Sequence, residues 1–99
     1  MKKSYNVYVP TRLKTQFKAL PSSASVAIEK SILNASKSPE LLAQAFYERL
    51  KAPFEPSDDR LSHTREPNLD PVLEKLSQMT KLPVEQVIRL CMEAYIQRL

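Results

Sequence analysis

The chain has no glycine and only one cysteine among its 99 residues. Without glycine it cannot form the glycine-rich loops that cradle phosphate groups in nucleotide-binding proteins. The single cysteine, Cys91, excludes an internal disulfide bond and fits a reducing cytoplasm. No apolar run approaches the length of about 18 residues that crosses a bilayer, so the sequence predicts no membrane partner.

Constellations of catalytic or metal-binding residues are also missing. The sequence has no paired carboxylates and no Cys/His or Ser/His arrangement of the kind that active sites use. His63 is the only histidine, and it lacks the neighbouring Cys or His residues that a metal site requires. We therefore predict that the chain is not an enzyme and carries neither a metal nor a cofactor.

The formal charge of +4 is concentrated at one end of the sequence. Residues 1–52 have nine Lys and Arg against three acids, whereas residues 53–99 have six against eight. No carboxylate precedes Glu29. A basic, acid-free segment is typical of a surface that contacts nucleic acid, although basic stretches are also common on solvated surfaces.

The amino-terminal segment Ser4-Tyr5-Asn6-Val7-Tyr8-Val9-Pro10 alternates between polar and apolar residues. This period of two predicts a strand with Tyr5, Val7 and Val9 directed inward, and Pro10 ends it because proline has no N–H to donate. A strand this short must pair with another. Its polar face is suited to a DNA major groove; the alternative is an edge strand with a solvated face.

Helical patterns follow the strand, and the order then partly repeats. A short helix with Leu13, Phe17 and Leu20 on one face leads to a second, over about 24–35, whose wide stripe (with Val26 and Leu33) predicts burial on several sides. A helix over 38–51 has Leu41, Leu42, Ala45, Phe46 and Leu50 on one face, and its Phe46, Tyr47 and Leu50 are expected either to cover the core or to form a docking surface. A polar stretch from Arg60 to Glu66 and two further helices complete the chain, which we divide into a first unit 1–37, a spacer 38–59 and a second unit 60–99.

The strand Ser4–Pro10 with its two short helices resembles the ribbon-helix-helix proteins of the MetJ/Arc superfamily. The segment Thr80-Lys81-Leu82-Pro83-Val84-Glu85-Gln86-Val87-Ile88-Arg89 resembles the turn and second helix of the same family. The resemblance implies a mainly α fold with a short two-stranded antiparallel β-ribbon, in which one polypeptide forms a tandem ribbon-helix-helix pseudo-dimer. Alternatively, the first strand pairs with its copy in a second chain, which would give a homodimer.

The resemblance also implies a binding site for double-stranded DNA. Base-reading positions would fall on six residues of the two strands: Ser4, Asn6, Tyr8, Arg60, Ser62 and Thr64. Phosphate contacts would fall on Lys2, Lys3, Arg12, Lys14, Ser22 and Ser23, of which the two serines also have a simpler role as helix caps. This assignment puts Leu61 and His63 inward; a shift of one residue in the second strand would present His63 and Arg65 instead.

The expected role is a transcriptional repressor that regulates its own promoter or a neighbouring one, in the bacterial cytoplasm and associated with the nucleoid. A plasmid accessory protein that marks a transfer origin or controls copy number would have a nearly identical sequence. A protein-interaction module, such as an inhibitor or antitoxin that uses the 38–51 helix, is the competing class. A helix-turn-helix formed by residues 71–81 and 83–98 is a further alternative, but it leaves the first strand unexplained.

Overall fold

The computed structural model describes all 99 residues, which form five α-helices and two strands. In chain order they are β1 (Lys3–Val9), α1 (Thr11–Lys18), α2 (Ala24–Lys37), α3 (Glu40–Lys51), β2 (Asp59–Arg65), a 3-10 turn (Pro67–Leu69), α4 (Asp70–Thr80) and α5 (Val84–Gln97). None of these helices has the length and apolar character needed to cross a bilayer.

The two strands pair with each other in antiparallel orientation and form the only sheet. Asn6 lies opposite Ser62 at the centre of the ribbon, and Val7 lies opposite Leu61. The prediction of a mainly helical chain with a short two-stranded antiparallel ribbon is therefore confirmed. β2 is in the register that buries Leu61 and His63, and the strand begins and ends one residue earlier than the sequence suggested.

Both halves of the chain contribute to a single hydrophobic core of 21 buried residues. Helix α5 packs against all the other helices and against β1, because it is apolar on more than one side. The inward face of β1 reaches the core through Val7 and Val9, which are fully buried. The alternating pattern of the first strand thus fixes one face of the ribbon to the core and leaves the other in solvent.

Some apolar residues lie further out than their pattern predicts. Val26 and Leu33 are exposed on α2, so the wide stripe does not signify burial on several sides. On α3, the buried residues are Leu41, Leu42 and Ala45, whereas Phe46 is 41% and Leu50 67% exposed. The prediction for α2 was therefore wrong, whereas on α3 the alternative with Phe46 and Leu50 in solvent is the one that the structure has. An apolar surface remains exposed as a result.

The helix ends are formed in different ways, and those of α4 depart from the usual pattern. Ser23 caps α2 as expected, since its hydroxyl oxygen accepts a hydrogen bond from the Val26 N–H at 3.2 Å. Asp70 is the first residue of α4 instead of its cap, because the 3-10 turn precedes it. Lys81 ends α4 in the left-handed region, with a φ of 60°, at a position where glycine is the usual residue.

Candidate nucleic-acid interface

All six side chains assigned to base reading lie on the solvent-exposed face of the ribbon. They are Ser4, Asn6 and Tyr8 on β1 and Arg60, Ser62 and Thr64 on β2. The pairing brings them together as three cross-strand pairs: Ser4 with Thr64, Asn6 with Ser62, and Tyr8 with Arg60. At the centre, the Ser62 hydroxyl donates a hydrogen bond to Oδ1 of Asn6 at 2.8 Å. The result is a compact polar surface on a rigid two-stranded support.

Side chains from α5 close the outer edge of β1. The N–H of Tyr8 donates to Oε1 of Glu85 at 3.0 Å, and Arg89 donates to the carbonyl oxygen of Tyr8 at 2.8 Å. Both residues lie in the first half of α5, so its amino-terminal end sits beside the Tyr8 end of the ribbon. Satisfying these backbone groups also blocks the addition of a further strand at this edge.

Side chains from α2 close the outer edge of β2 in the same manner. The N–H of Thr64 donates to the hydroxyl oxygen of Ser25 at 2.9 Å, and the N–H of Glu66 donates to Oε2 of Glu29 at 2.9 Å. Ser25 and Glu29 are the second and sixth residues of α2, just as Glu85 and Arg89 are the second and sixth residues of α5. Each strand is therefore held by the second helix of the other half.

Lysines near the ribbon, expected to bind phosphate, are mostly paired within the chain. Nζ of Lys2 lies 2.8 Å from Glu29, and this hydrogen bond raises the pKa of Lys2. Nζ of Lys14 lies 3.1 Å from Asp59, whose pKa is lowered by that contact. Lys3 alone among the predicted phosphate-binding cations has no carboxylate partner. The acid-free amino-terminal segment is thus partly neutralised by acids from elsewhere in the sequence.

Arg12, the fourth of these cations, is held in a ring of four charges. Its Nε lies 3.0 Å from Glu55 and its Nη2 lies 2.5 Å from Glu93. Arg49 completes the ring, at 2.9 Å from Glu55 and 3.5 Å from Glu93. Gln16 accepts a further hydrogen bond from Arg12 at 2.6 Å. The donors of Arg12 are directed to protein acceptors, and the ring joins α1, α3 and the segment before β2 to α5.

At the amino-terminal end of α2, Ser22 is half-buried and Ser23 is exposed. The hydroxyl of Ser23 is engaged as the cap of α2, and no carboxylate lies in the first turn of that helix. The corresponding end of α5 differs, because Glu85 stands in its first turn. The positive end of the helix dipole is therefore free of nearby negative charge in α2 but not in α5.

A polar cluster lies beneath the ribbon that the sequence patterns did not reveal. His63 and Arg65 are buried; Nη1 of Arg65 donates to Nε2 of His63 at 2.9 Å, and its guanidinium carbon lies 3.6 Å from the centre of the Tyr5 ring. Asp70 accepts hydrogen bonds from the Tyr5 hydroxyl at 3.1 Å and from Arg65 at 3.3 Å. The one available signal was that His63 and Arg65 share the alternation of Leu61.

This cluster fixes the protonation state of His63. Because Arg65 can only donate, Nε2 of His63 accepts and the neutral ring has its proton on Nδ1. Nδ1 is buried without a hydrogen-bond partner. Burial, together with the charge of Arg65, lowers the pKa of His63 to about 4. No group of three or more His, Cys, Asp or Glu side chains is arranged to hold a metal ion.

Comparison of this chain with protein-family models, curated proteins and solved structures found no match in any of the three. The functional assignment therefore depends on the ribbon surface and its surroundings.

Proposed function

We propose that this protein binds double-stranded DNA by inserting the polar face of the β1/β2 ribbon into the major groove, as a tandem ribbon-helix-helix pseudo-dimer. The observation that carries the proposal is the exposed face of the ribbon, on which every side chain from Ser4 to Tyr8 that points outward has hydrogen-bonding capacity. A two-stranded ribbon fits the width of the major groove, where each base pair presents a distinct pattern of donors and acceptors.

The contacts that close the ribbon edges support the pseudo-dimer. Tyr8 with Glu85 and Thr64 with Ser25 are corresponding contacts from opposite halves of the chain. Such reciprocity is what an approximate two-fold axis through the centre of the ribbon would produce. The spacer with α3 then connects two units that share one core. Because β2 comes from the same chain as β1, this arrangement favours a monomer with an internal ribbon.

Charge supports a modest electrostatic contribution to DNA binding. The sequence pI is about 9.3. Lys2, Lys3 and Lys14 flank the ribbon, and two of them would exchange a carboxylate partner for phosphate on binding. Three phosphate contacts correspond to a slope of about −3 in a plot of log K against log salt concentration. A protein of this kind acts as a repressor of its own or a neighbouring promoter; the same chemistry would serve a plasmid transfer-origin or copy-control protein.

The test is a fluorescence-anisotropy titration of a duplex from upstream of the protein's own gene and of a scrambled duplex. Asn6→Ala should weaken binding to the upstream duplex by about 5-fold to 150-fold, the value of one good bidentate base contact, while binding to the scrambled duplex changes little. Asn34→Ala is the matched control, because Asn34 is an exposed asparagine on α2 outside the ribbon. If the wild-type protein binds neither duplex at low salt, the proposal fails.

A second candidate function is protein binding through α3. Tyr47 and Leu50 are exposed on this helix, and Phe54 just beyond it is 89% exposed. Exposed apolar side chains that lie together are typical of interaction sites. Under this function, Leu50→Glu would abolish the activity of the protein in its cell while leaving the affinity for DNA unchanged, and Asn6→Ala would have no effect.

A further inference from the structure

The two ends of the polar ribbon face are chemically unequal. At one end the register places Tyr8 opposite Arg60, so this end offers a phenol and a guanidinium. At the other end it pairs Ser4 with Thr64, which offer only two hydroxyl groups. A symmetric homodimer would present the same residues at both ends, and its binding site would be a palindrome. This chain lacks that constraint, because the two strands have different sequences.

Arg60 is equipped to read a guanine. It is exposed and makes no ion pair in the structure, unlike Arg12 and Arg65. A free guanidinium on a groove-facing position forms two parallel hydrogen bonds to O6 and N7 of guanine, the commonest specific contact in the major groove. The neighbouring Glu85 side chain is about half exposed, but it pairs with Arg89 at 3.8 Å and accepts the Tyr8 N–H, so its charge is compensated at this end. Arg60 is therefore the only charged side chain on the polar face of the ribbon, and its donors are free for a base.

Asn6 is prepared for adenine by its neighbour on β2. The Ser62 hydroxyl donates to Oδ1 of Asn6, which fixes the amide with one oxygen lone pair and both amide hydrogens still available. These are the groups needed to accept from N6 and donate to N7 of an adenine. Ser62 accordingly acts as a positioning residue for Asn6, and its own hydroxyl proton is not free for a base.

The Ser4–Thr64 end has no charged side chain on the polar face, and Lys3 and the half-exposed Glu66 lie beside it. Lys3 directly precedes Ser4 on β1 and has no carboxylate partner. The nearby amino-terminal turn of α2, whose Ser25 contacts Thr64, contains no acid. The Ser4 and Thr64 hydroxyls both donate and accept, so they accommodate several bases without selecting one strongly.

We propose that the DNA site is non-palindromic, with an adenine read by Asn6 at its centre and a guanine read by Arg60 toward one end only. This inference rests on the proposed function. Arg60 lies opposite Tyr8, two residues from Asn6. At a rise of about 3.4 Å per residue, equal to the rise per base pair, the guanine falls about two base pairs from the adenine. The sequence beyond the adenine on the Ser4–Thr64 side is only weakly specified.

The experiment is the selection of binding sites from a library of random duplexes by the full-length protein, followed by titration of the enriched sequence. The expected motif is non-palindromic, with an adenine and a guanine about two base pairs apart. Arg60→Ala should abolish the preference for guanine, weaken binding to the enriched duplex by about 5-fold to 150-fold, and retain the preference for adenine. Arg98→Ala, which removes an exposed arginine at the far end of α5, should change neither.

The positioning role of Ser62 is tested separately, by the ratio of the affinity for a duplex with adenine at the central position to the affinity for duplexes with other bases there. Ser62→Ala should lower this ratio in the wild-type background and leave it unchanged in the Asn6→Ala background. An effect of equal size in both backgrounds would overturn the positioning role.

A palindromic motif, or a guanine preference that persists in Arg60→Ala, would overturn the proposal of a non-palindromic site while leaving DNA binding by the ribbon intact. Salt-sensitive binding with no enriched sequence would also overturn it. Failure of the wild-type protein to retain any duplex would instead refute the proposed function, so the two failures are distinguishable.

Discussion

Replacement of Arg12 by methionine separates a structural role from a role in DNA binding. The sequence assigned Arg12 to a phosphate contact. In the structure its guanidinium lies between Glu55 and Glu93, which are supplied by the segment before β2 and by α5. We expect Arg12→Met to lower the stability of the protein and to leave its intrinsic affinity for DNA nearly unchanged. Methionine keeps the unbranched apolar stem that packs along α1 while removing the charge and the donors.

The expected magnitude follows from the environment of Glu93. Its side chain is only 8% exposed, so removal of Arg12 leaves a buried carboxylate with one cationic neighbour, Arg49, at 3.5 Å. Breaking a buried ion pair by removing one partner costs about 3–5 kcal/mol. Because Arg12 is one third exposed and Arg49 remains, we expect a loss of about 2–4 kcal/mol in the free energy of unfolding. In a domain of this size that loss lowers Tm by roughly 10–20 °C.

The assay combines thermal unfolding, followed by circular dichroism, with anisotropy titrations at a temperature where both proteins are folded. Lys3→Met is the matched control, since it removes an exposed cation that has no carboxylate partner. This variant should keep its Tm and show a shallower salt dependence of DNA binding. If Arg12→Met instead keeps its Tm within about 2 °C and shows the salt dependence lost with Lys3, the ion-pair ring is not a stabilising element and Arg12 is a phosphate ligand.

Three smaller perturbations test other parts of the fold. Lys81→Gly should raise the free energy of unfolding by about 1 kcal/mol in urea denaturation, because it relieves a φ of 60°; Lys81→Ala should give no such gain. The free energy of unfolding should fall by up to about 3 kcal/mol as the pH is lowered from 6.5 to 4. In this range His63 is protonated in the unfolded chain but stays neutral in the folded protein, where its pKa is lowered to about 4. His63→Gln should flatten that part of the pH profile. Cys91 is buried and its pKa is raised to about 12, so iodoacetamide should modify it no faster than the protein opens; immediate reaction of the native protein would contradict its burial.

The sequence predicted the ribbon because a period of two leaves few alternatives. In β1, Val7 and Val9 alternate with Asn6 and Tyr8, and a shift of one residue would bury polar groups and expose the valines. In β2 the pattern was weak, and Leu61 alone favoured the register that the structure has. Local patterns of this kind report which face of an element is apolar. They succeed where one face of that element is covered.

The sequence was less informative about the partners of charged and apolar side chains. The two carboxylate partners of Arg12 lie 43 and 81 residues away and that of Lys14 lies 45 residues away, so no local pattern connects them. The basic amino-terminal segment was visible as composition, but its partial neutralisation is a tertiary property. The same limit applies to Phe46 and Leu50, whose apolar pattern left open whether they cover the core or remain in solvent; the structure leaves them exposed.

A covalent link between the two halves bears on the proposed recognition of DNA. Closure of the β1 edge by Glu85 and of the β2 edge by Ser25 makes each strand dependent on the other half. In a symmetric dimer the same gene encodes both strands, so any change on the polar face appears twice. In a single chain the two strands are covalently linked, so their association costs little. The sequence of each strand can then change independently of the other. The difference between the Tyr8–Arg60 end and the Ser4–Thr64 end is the result expected of that freedom.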